Sequence, residues 1–357
     1  MSQTLPVHLI TGLLGSGKTT CLKHLIQQKP SNENWAILIN EFGEVDIDAS
    51  QLQSNHNTHS LNIQTVSGGC ICCTAQIGLV NTINQLLSDH TLNFDRIWIE
   101  PTGLGHPAKI IDAIQHTQFL RPLTLQKIVC VVTPQQLTAE RWKKSAVMRD
   151  LVNLADTIIL NKSDLSDAEA TTKSLAILNN CYPSKNQIIP SQYSNVSLQA
   201  LLGERPFKPF TLLSPKTEND DSEHQQQTEN PQAPYHSIID KTQACYISQT
   251  SDPKQPLLLS MGWIWDSTLQ FNRVKIKAFF EEISPYLIRA KGLIKTGNEW
   301  QLVNWSEGEL KFEDIAWRQD SRLECLFKSN RSNRNDLKLS PQQLEKQIKN
   351  TINNLMD

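Results

Sequence analysis

The sequence predicts an α/β fold: a domain with a mostly parallel sheet, followed by a smaller α+β domain. Short apolar runs alternate with stretches long enough for crossover helices, and the first run leads into a glycine-rich loop. A long polar segment then divides the chain. At 357 residues the chain also exceeds the roughly 100–200 residues expected of one domain, so we expect two domains.

Five short β-rich runs supply the predicted parallel strands. They are apolar almost throughout, as strands buried on both faces of a sheet are. They cover residues 7–10, 35–39, 96–99, 127–132 and 157–160. Helices are predicted over residues 19–26, 79–87 and 107–114, so that the sheet is covered on both faces.

The predicted domain boundaries follow the composition. Residues 1–205 form the first domain, 206–234 a polar linker, 235–330 the C-terminal α+β domain and 331–357 a polar tail with a short helix. The C-terminal domain is predicted to contain strands at 244–249 and 257–265, a helix at 274–283 and a hairpin at 287–303 that turns on Gly297 and Asn298.

Charge and hydrophobicity exclude several classes of partner. With 34 Lys and Arg against 36 Asp and Glu, the chain lacks the basic excess that marks binding to nucleic acid or to an anionic membrane. The N-terminus does not have the pattern of a signal peptide, and no run approaches the roughly 18 apolar residues of a membrane span. We therefore expect a cytoplasmic protein.

A phosphate-binding loop follows the first predicted strand. The residues that fit G-x-x-x-x-G-K-[ST] are Gly12, Leu13, Leu14, Gly15, Ser16, Gly17, Lys18 and Thr19. In this pattern backbone N–H groups surround the β-phosphate, Lys18 reaches the β- and γ-oxygens, and Thr19 offers its hydroxyl to Mg²⁺. Thr20 completes the predicted nucleotide contacts.

A base-reading loop, Asn161-Lys162-Ser163-Asp164, follows the last predicted strand. The Asp164 carboxylate can accept hydrogen bonds from N1 and the 2-amino group of guanine, donors that adenine lacks. The sequence therefore predicts GTP. An ATP-using assembly factor is the alternative, which nucleotide competition would distinguish.

A carboxylate and a glycine close the strand between these two loops. We assign Glu100 to positioning a metal-bound or attacking water, and the Gly103 N–H to sensing the γ-phosphate. A solvated acid that merely ends a strand is the alternative for Glu100.

Three of the eight cysteines, Cys70, Cys72 and Cys73, lie within four residues. Thiolates at this spacing can converge on Zn²⁺ or Co²⁺, and affinity falls with acidity because the thiols must deprotonate. A redox role or a buried cluster are the alternatives. The other five cysteines are expected to be small buried apolar residues.

An acidic segment, residues 40–48, follows the second strand. Glu41, and less strongly Glu44, could supplement the thiolates or the Mg²⁺ shell. A solvated acidic loop is the alternative. His56 and His59 are interpreted as surface residues.

Taken together, the motifs GLLGSGKTT, NEFGEVDID, GGCICC, IEPTGLGHP and NKSD resemble, in that order, the CobW-type family of P-loop GTPases, over about the first 165 residues. The resemblance, which extends to the nickel GTPases UreG and HypB, implies a metallochaperone that binds Zn²⁺ or Co²⁺ and delivers it to a metal-dependent client protein by hydrolysing GTP. It puts metal binding on Cys70, Cys72 and Cys73.

Two departures from the family matter. Only His224 in the linker and His236 just after it stand where many members have a His-rich tract, and Thr133 stands where the family usually has Asp after the fourth strand. A regulatory GTPase switch without metal delivery and a thiol redox sensor remain the alternative functions. A homodimer is compatible with the sequence.

Overall fold

The computed structural model describes residues 4–39, 61–65, 74–89, 92–101, 107–206, 242–249, 257–329 and 341–353. The chain divides into two compact units, Met1–Pro209 and Phe210–Asp357. Each unit has its own sheet.

The first unit contains a seven-stranded parallel sheet. Its strands are β1 (Leu5–Gly12), β2 (Trp35–Ile39), β3 (Leu61–Thr65), β4 (Arg96–Glu100), β5 (Leu123–Val132), β6 (Thr157–Leu160) and β7 (Gln187–Pro190). Their order across the sheet is β3-β2-β4-β1-β5-β6-β7. The helices are α1 (Lys18–Gln27), α2 (Thr74–Ser88), α3 (Pro107–His116), α4 (Ala139–Lys144), α5 (Ala146–Leu154), α6 (Ala168–Asn179) and α7 (Leu198–Leu201).

Burial of apolar strands against α1 fixes the centre of this sheet. Cys21, Leu22 and Leu25 on one face of α1 are fully buried in a cluster with strand residues such as Trp98 and Val131. Because α1 begins directly after β1, this packing also fixes the loop between them, residues 13–17.

The strand order reverses at β1, which pairs with β4 on one side and with β5 on the other. Ligands of open α/β sheets bind at such a switch point, beyond the carboxyl ends of the strands. On the β4 side Thr65, Ile39 and Glu100 are register partners on adjacent strands, so β3, β2 and β4 end level with one another.

His8 of β1 is buried beside an aromatic ring and an ion pair. The His8 ring stacks on Trp98 with ring centroids 4.3 Å apart, and Arg96 pairs with Glu33 at 2.7 Å. Burial, and then the charge of Arg96, lower the pKa of His8 to about 3. His8 is therefore a neutral core residue at physiological pH.

The second unit is an antiparallel sheet with helices. Its strands are β8 (Thr242–Gln249), β9 (Leu257–Trp265), β10 (Leu287–Thr296), β11 (Glu299–Ser306), β12 (Glu309–Asp314) and β13 (Ser321–Ser329), in the order β12-β11-β10-β13-β9-β8. The helices are α8 (Arg273–Ile283) and α9 (Pro341–Lys349). Leu344 and Ile348 of α9 are fully buried in the core of this unit, so the predicted tail helix packs as part of it.

The predicted fold class, a mostly parallel α/β domain with a smaller α+β domain, is confirmed. The five predicted parallel strands are present, and β3 and β7 extend the sheet at its two edges. The predicted hairpin turns at Gly297, whose φ is +64°. None of the helices in the described ranges combines the length and hydrophobicity that a membrane span needs.

Candidate functional site

The loop between β1 and α1 depends on two glycines. Gly12 has φ +143°, and a Cβ there would lie 2.2 Å from the Val131 carbonyl oxygen of β5. Gly17 has φ +106°, and a Cβ there would lie 2.4 Å from Asn161 Nδ2 and 2.8 Å from Ser194 Oγ. Both positions therefore exclude any side chain.

Four consecutive carbonyl groups of this loop each accept a hydrogen bond from a distant side chain. Leu14 O accepts from Gln136 Nε2 at 2.8 Å, Gly15 O from Lys162 Nζ at 2.9 Å, Ser16 O from Asn161 Nδ2 at 2.8 Å and Gly17 O from Ser194 Oγ at 3.0 Å. The four donors come from the loops that follow β5, β6 and β7.

These bonds orient the loop for an anion. A trans peptide is planar, so a carbonyl and the N–H of the next residue point in opposite directions. Because the carbonyls of Leu14, Ser16 and Gly17 face their side-chain donors, the N–H groups of Gly15, Gly17 and Lys18 point away from those donors. The N-terminus of α1 adds the positive end of the helix dipole.

The Asn161 side chain joins three loops. Its Nδ2 donates to Ser16 O, and its Oδ1 accepts from the Ser194 N–H at 2.6 Å. Asn161 is 1% exposed, whereas Asp164 is exposed, as a residue that reads an incoming base must be. Lys162 holds a left-handed backbone (φ +55°) while it reaches Gly15 O.

Ser194 is a site residue that sequence reasoning missed. It lies in the turn after β7 and, like Tyr193 before it, has a left-handed backbone, with φ values of +53° and +52°. Such a conformation is costly for residues other than glycine and often marks a functional site. Tyr193 is 73% exposed beside this buried serine. β7 was not predicted from the sequence, and the turn that follows it matches no known motif.

Glu100 and Thr19 meet at the carboxyl end of β4. The Thr19 hydroxyl donates to Glu100 Oε1 at 2.7 Å, and Glu100 is 5% exposed. Hydroxyl and carboxylate oxygens are the ligands that Mg²⁺ prefers, so this pair suits that ion. Burial, and then the charge of Glu100, raise the pKa of the neighbouring Cys21 to about 12, which keeps that thiol protonated.

The remaining residues of the phosphate loop lie around these contacts. Lys18 Nζ is 3.3 Å from Leu13 O, within the loop whose anion it is predicted to bind. Thr20 is exposed on the first turn of α1, and Leu14 is exposed at the tip of the loop.

Several predicted site residues lie outside the described residues, namely Glu41, Cys70, Cys72, Cys73 and Gly103. Among the residues that the structure does describe, no three His, Cys, Asp or Glu side chains gather closely enough to hold a metal ion. Cys21, Cys130, Cys181 and Cys325 are buried, which confirms their interpretation as small apolar residues.

A strand, an anion-binding loop and a helix at the switch point of a parallel sheet define a P-loop nucleotide-binding protein, here with an N-K-S-D base loop bonded to the phosphate loop. Residues 6–189 match the family model of the CobW/HypB/UreG nucleotide-binding domain. This match covers more than half of the chain, and the chain belongs to this CobW-type family of P-loop GTPases.

Three relatives are similar to part of this chain. The zinc chaperone YeiR of Escherichia coli is 39% identical over 163 residues, which are 46% of this chain and 48% of that protein. The zinc chaperone YjiA of the same organism is 33% identical over 178 residues, 48% of this chain and 54% of that protein. The zinc chaperone CobW of Pseudomonas aeruginosa is 28% identical, over 56% of this chain and 60% of that protein. The chain thus spans about half to three fifths of these relatives' length.

Proposed function

We propose that this protein is a GTP-hydrolysing metallochaperone. It binds Zn²⁺, or alternatively Co²⁺, through Cys70, Cys72 and Cys73 and transfers the ion to a client protein. The observation that carries the proposal is the spatial order of the strands, because each functional segment follows the carboxyl end of one of them.

Across the sheet, the segments with proposed functions follow one another in the order of the strands. β3 precedes the cysteine segment, β2 precedes Glu41, β4 ends at Glu100 and β1 ends at the phosphate loop. β5 and β6 then precede the Gln136 turn and the base loop. At about 4.8 Å between strands, the ends of β3 and β1 are roughly 14 Å apart. A metal and a nucleotide would therefore bind at the same edge of the sheet, at strands that are separated by β2 and β4.

The carboxyl ends of β1 and β4 carry the groups that hydrolysis of GTP requires. Lys18 binds the β- and γ-phosphate oxygens, and Thr19 with Glu100 would hold Mg²⁺, which neutralises charge on those oxygens. The buried Glu100 carboxylate orients the attacking water. Intrinsic turnover is expected to be slow, since the sequence by itself assigns no arginine finger.

The metal site after β3 is proposed from the chemistry of its thiols and from the names of the relatives. Three thiolates leave a fourth coordination position for Glu41, water or a receiving ligand, and an open position is what a donor site needs. The relatives named zinc chaperones support Zn²⁺ as the cargo. A reducing cytoplasm, our proposed compartment, would keep these thiols available.

Guanine selectivity is tested by exchanging Asp164. We expect the wild type to bind GTP at least about 100-fold more tightly than ATP. Asp164→Asn should lose roughly 100-fold or more in GTP affinity, since two hydrogen bonds to a carboxylate contribute about 1.5–3 kcal/mol each. It should gain affinity for XTP, because an amide can donate to the carbonyl that xanthine carries at C2. Competition against a fluorescent GDP analogue measures all three.

Asp167→Asn is the matched control. Asp167 lies three residues away and caps α6 through the Ala170 N–H at 2.6 Å, a role that Asn fills equally well. Its nucleotide affinities should be those of the wild type. Equal competition by ATP and GTP in the wild type would contradict guanine selectivity.

A further inference from the structure

Among the described residues, Gln136 is the side-chain donor to the tip of the phosphate loop, and it lies outside both the base loop and the Ser194 turn. Its Nε2 donates to Leu14 O at 2.8 Å, across 122 residues of sequence. Leu14 is 77% exposed at the tip of the loop. The position of the loop tip therefore depends on this side-chain hydrogen bond rather than on packing.

The turn that carries Gln136 is rigidly held. Thr133, 3% exposed, accepts the Gln136 N–H at its carbonyl at 3.0 Å and at its hydroxyl at 3.3 Å. The buried Ser174 hydroxyl of α6 contacts Pro134 O at 3.3 Å and Leu137 O at 3.1 Å. A side chain mounted on this turn can therefore fix the position of whatever it binds.

The neighbouring glutamine makes the corresponding contact to the base loop. Gln135 Nε2 donates to Leu165 O at 2.8 Å, and Leu165 follows Asp164 directly. Two adjacent amides on one turn thus hold the tip of the phosphate loop and the end of the base loop.

We propose that Gln136 is a positioning residue for phosphate binding: by holding the Leu14 carbonyl outward, it aims the Gly15 N–H at the β-phosphate. Without this bond the Leu14–Gly15 peptide can rotate, and its carbonyl can then face the anion and repel it. Gln135 acts in the same way on the base loop. This inference rests on the proposed binding of guanine nucleotides.

The phosphate dependence of affinity tests the inference. In Gln136→Ala the Kd for GDP and the KM for GTP should rise roughly five- to tenfold, the equivalent of one net hydrogen bond. The affinity for GMP, which lacks the β-phosphate, and the kcat for GTP should each stay within about twofold. A general loss of structure would lower all of these together.

Two further variants complete the test. Gln136→Glu keeps the size of the side chain, but at neutral pH its carboxylate cannot donate to a carbonyl, so it should weaken GDP binding at least as much as Gln136→Ala does. Gln115→Ala, at an exposed glutamine near the end of α3, should bind GDP like the wild type.

The outcomes separate this inference from the proposed function. If the wild type binds GDP and both Gln136 variants bind it equally well, or if GMP affinity falls by the same factor as GDP affinity, the positioning role of Gln136 is wrong. If the wild type binds no guanine nucleotide, the proposed function itself fails.

Discussion

Gly17→Ala is expected to lose nucleotide binding by a factor of about 100 or more. The new Cβ would lie 2.4 Å from Asn161 Nδ2, which holds Ser16 O, and 2.8 Å from Ser194 Oγ, which holds Gly17 O. The left-handed backbone at φ +106° adds strain of about 1–3 kcal/mol. Calorimetric titration with GDP measures the loss.

A second glycine controls for the general cost of exchanging a glycine with positive φ. Gly297 also has positive φ, at +64°, but a Cβ there meets nothing within 4 Å. Gly297→Ala lies in the hairpin of the second unit and should bind GDP like the wild type. Tight GDP binding by Gly17→Ala would show that the contacts among Gly17, Asn161 and Ser194 do not shape the nucleotide site.

Glu100→Gln is expected to lower kcat for GTP by about 100-fold or more, in the range typical of a lost catalytic acid or base. The amide keeps an oxygen that can accept from Thr19, so the local geometry persists while the charge that orients water disappears. GTP affinity should stay within roughly threefold. Single-turnover hydrolysis separates the chemical step from binding.

Glu140→Gln supplies the comparison for Glu100→Gln. Glu140 is an exposed acid of α4 that pairs with Lys144 at 2.7 Å, and its exchange should leave turnover unchanged. If Glu100→Gln hydrolyses GTP at the wild-type rate, the carboxylate at the end of β4 has been misassigned.

The sequence predicted the centre of the first sheet well because its strands are continuous apolar runs. The two edge strands were missed for a physical reason. β3 (LNIQT) alternates polar and apolar residues, and β7 (QIIP) is exposed at both ends, so neither has the composition of a buried strand. Both strands are half-buried at the edges of the sheet, where a strand needs fewer apolar residues than at the centre.

The candidate site could be predicted where local motifs carry it and not where tertiary contacts do. Lys18, Thr19 and Asn161 follow from short patterns. The donation by Gln136 and Ser194 to the phosphate loop depends on the order β1-β5-β6-β7, which a single sequence does not specify. Asn161 was predicted as a base reader, and the structure shows in addition that its amide joins the phosphate loop to the Ser194 turn.

Because we propose that the metal and the nucleotide bind at the same edge of the sheet, we expect metal affinity to depend on the bound nucleotide, and a cobalt titration tests this coupling most directly. Co²⁺ bound by thiolates gives charge-transfer absorption, which is followed in the GTP-bound, GDP-bound and nucleotide-free protein. We expect affinity to differ about tenfold between the GTP-bound and nucleotide-free forms, or 1.4 kcal/mol of coupling, and the absorption to vanish when Cys70, Cys72 and Cys73 are all exchanged for Ser. Equal Co²⁺ affinity in all three forms, or absorption that persists in the triple variant, would contradict the account.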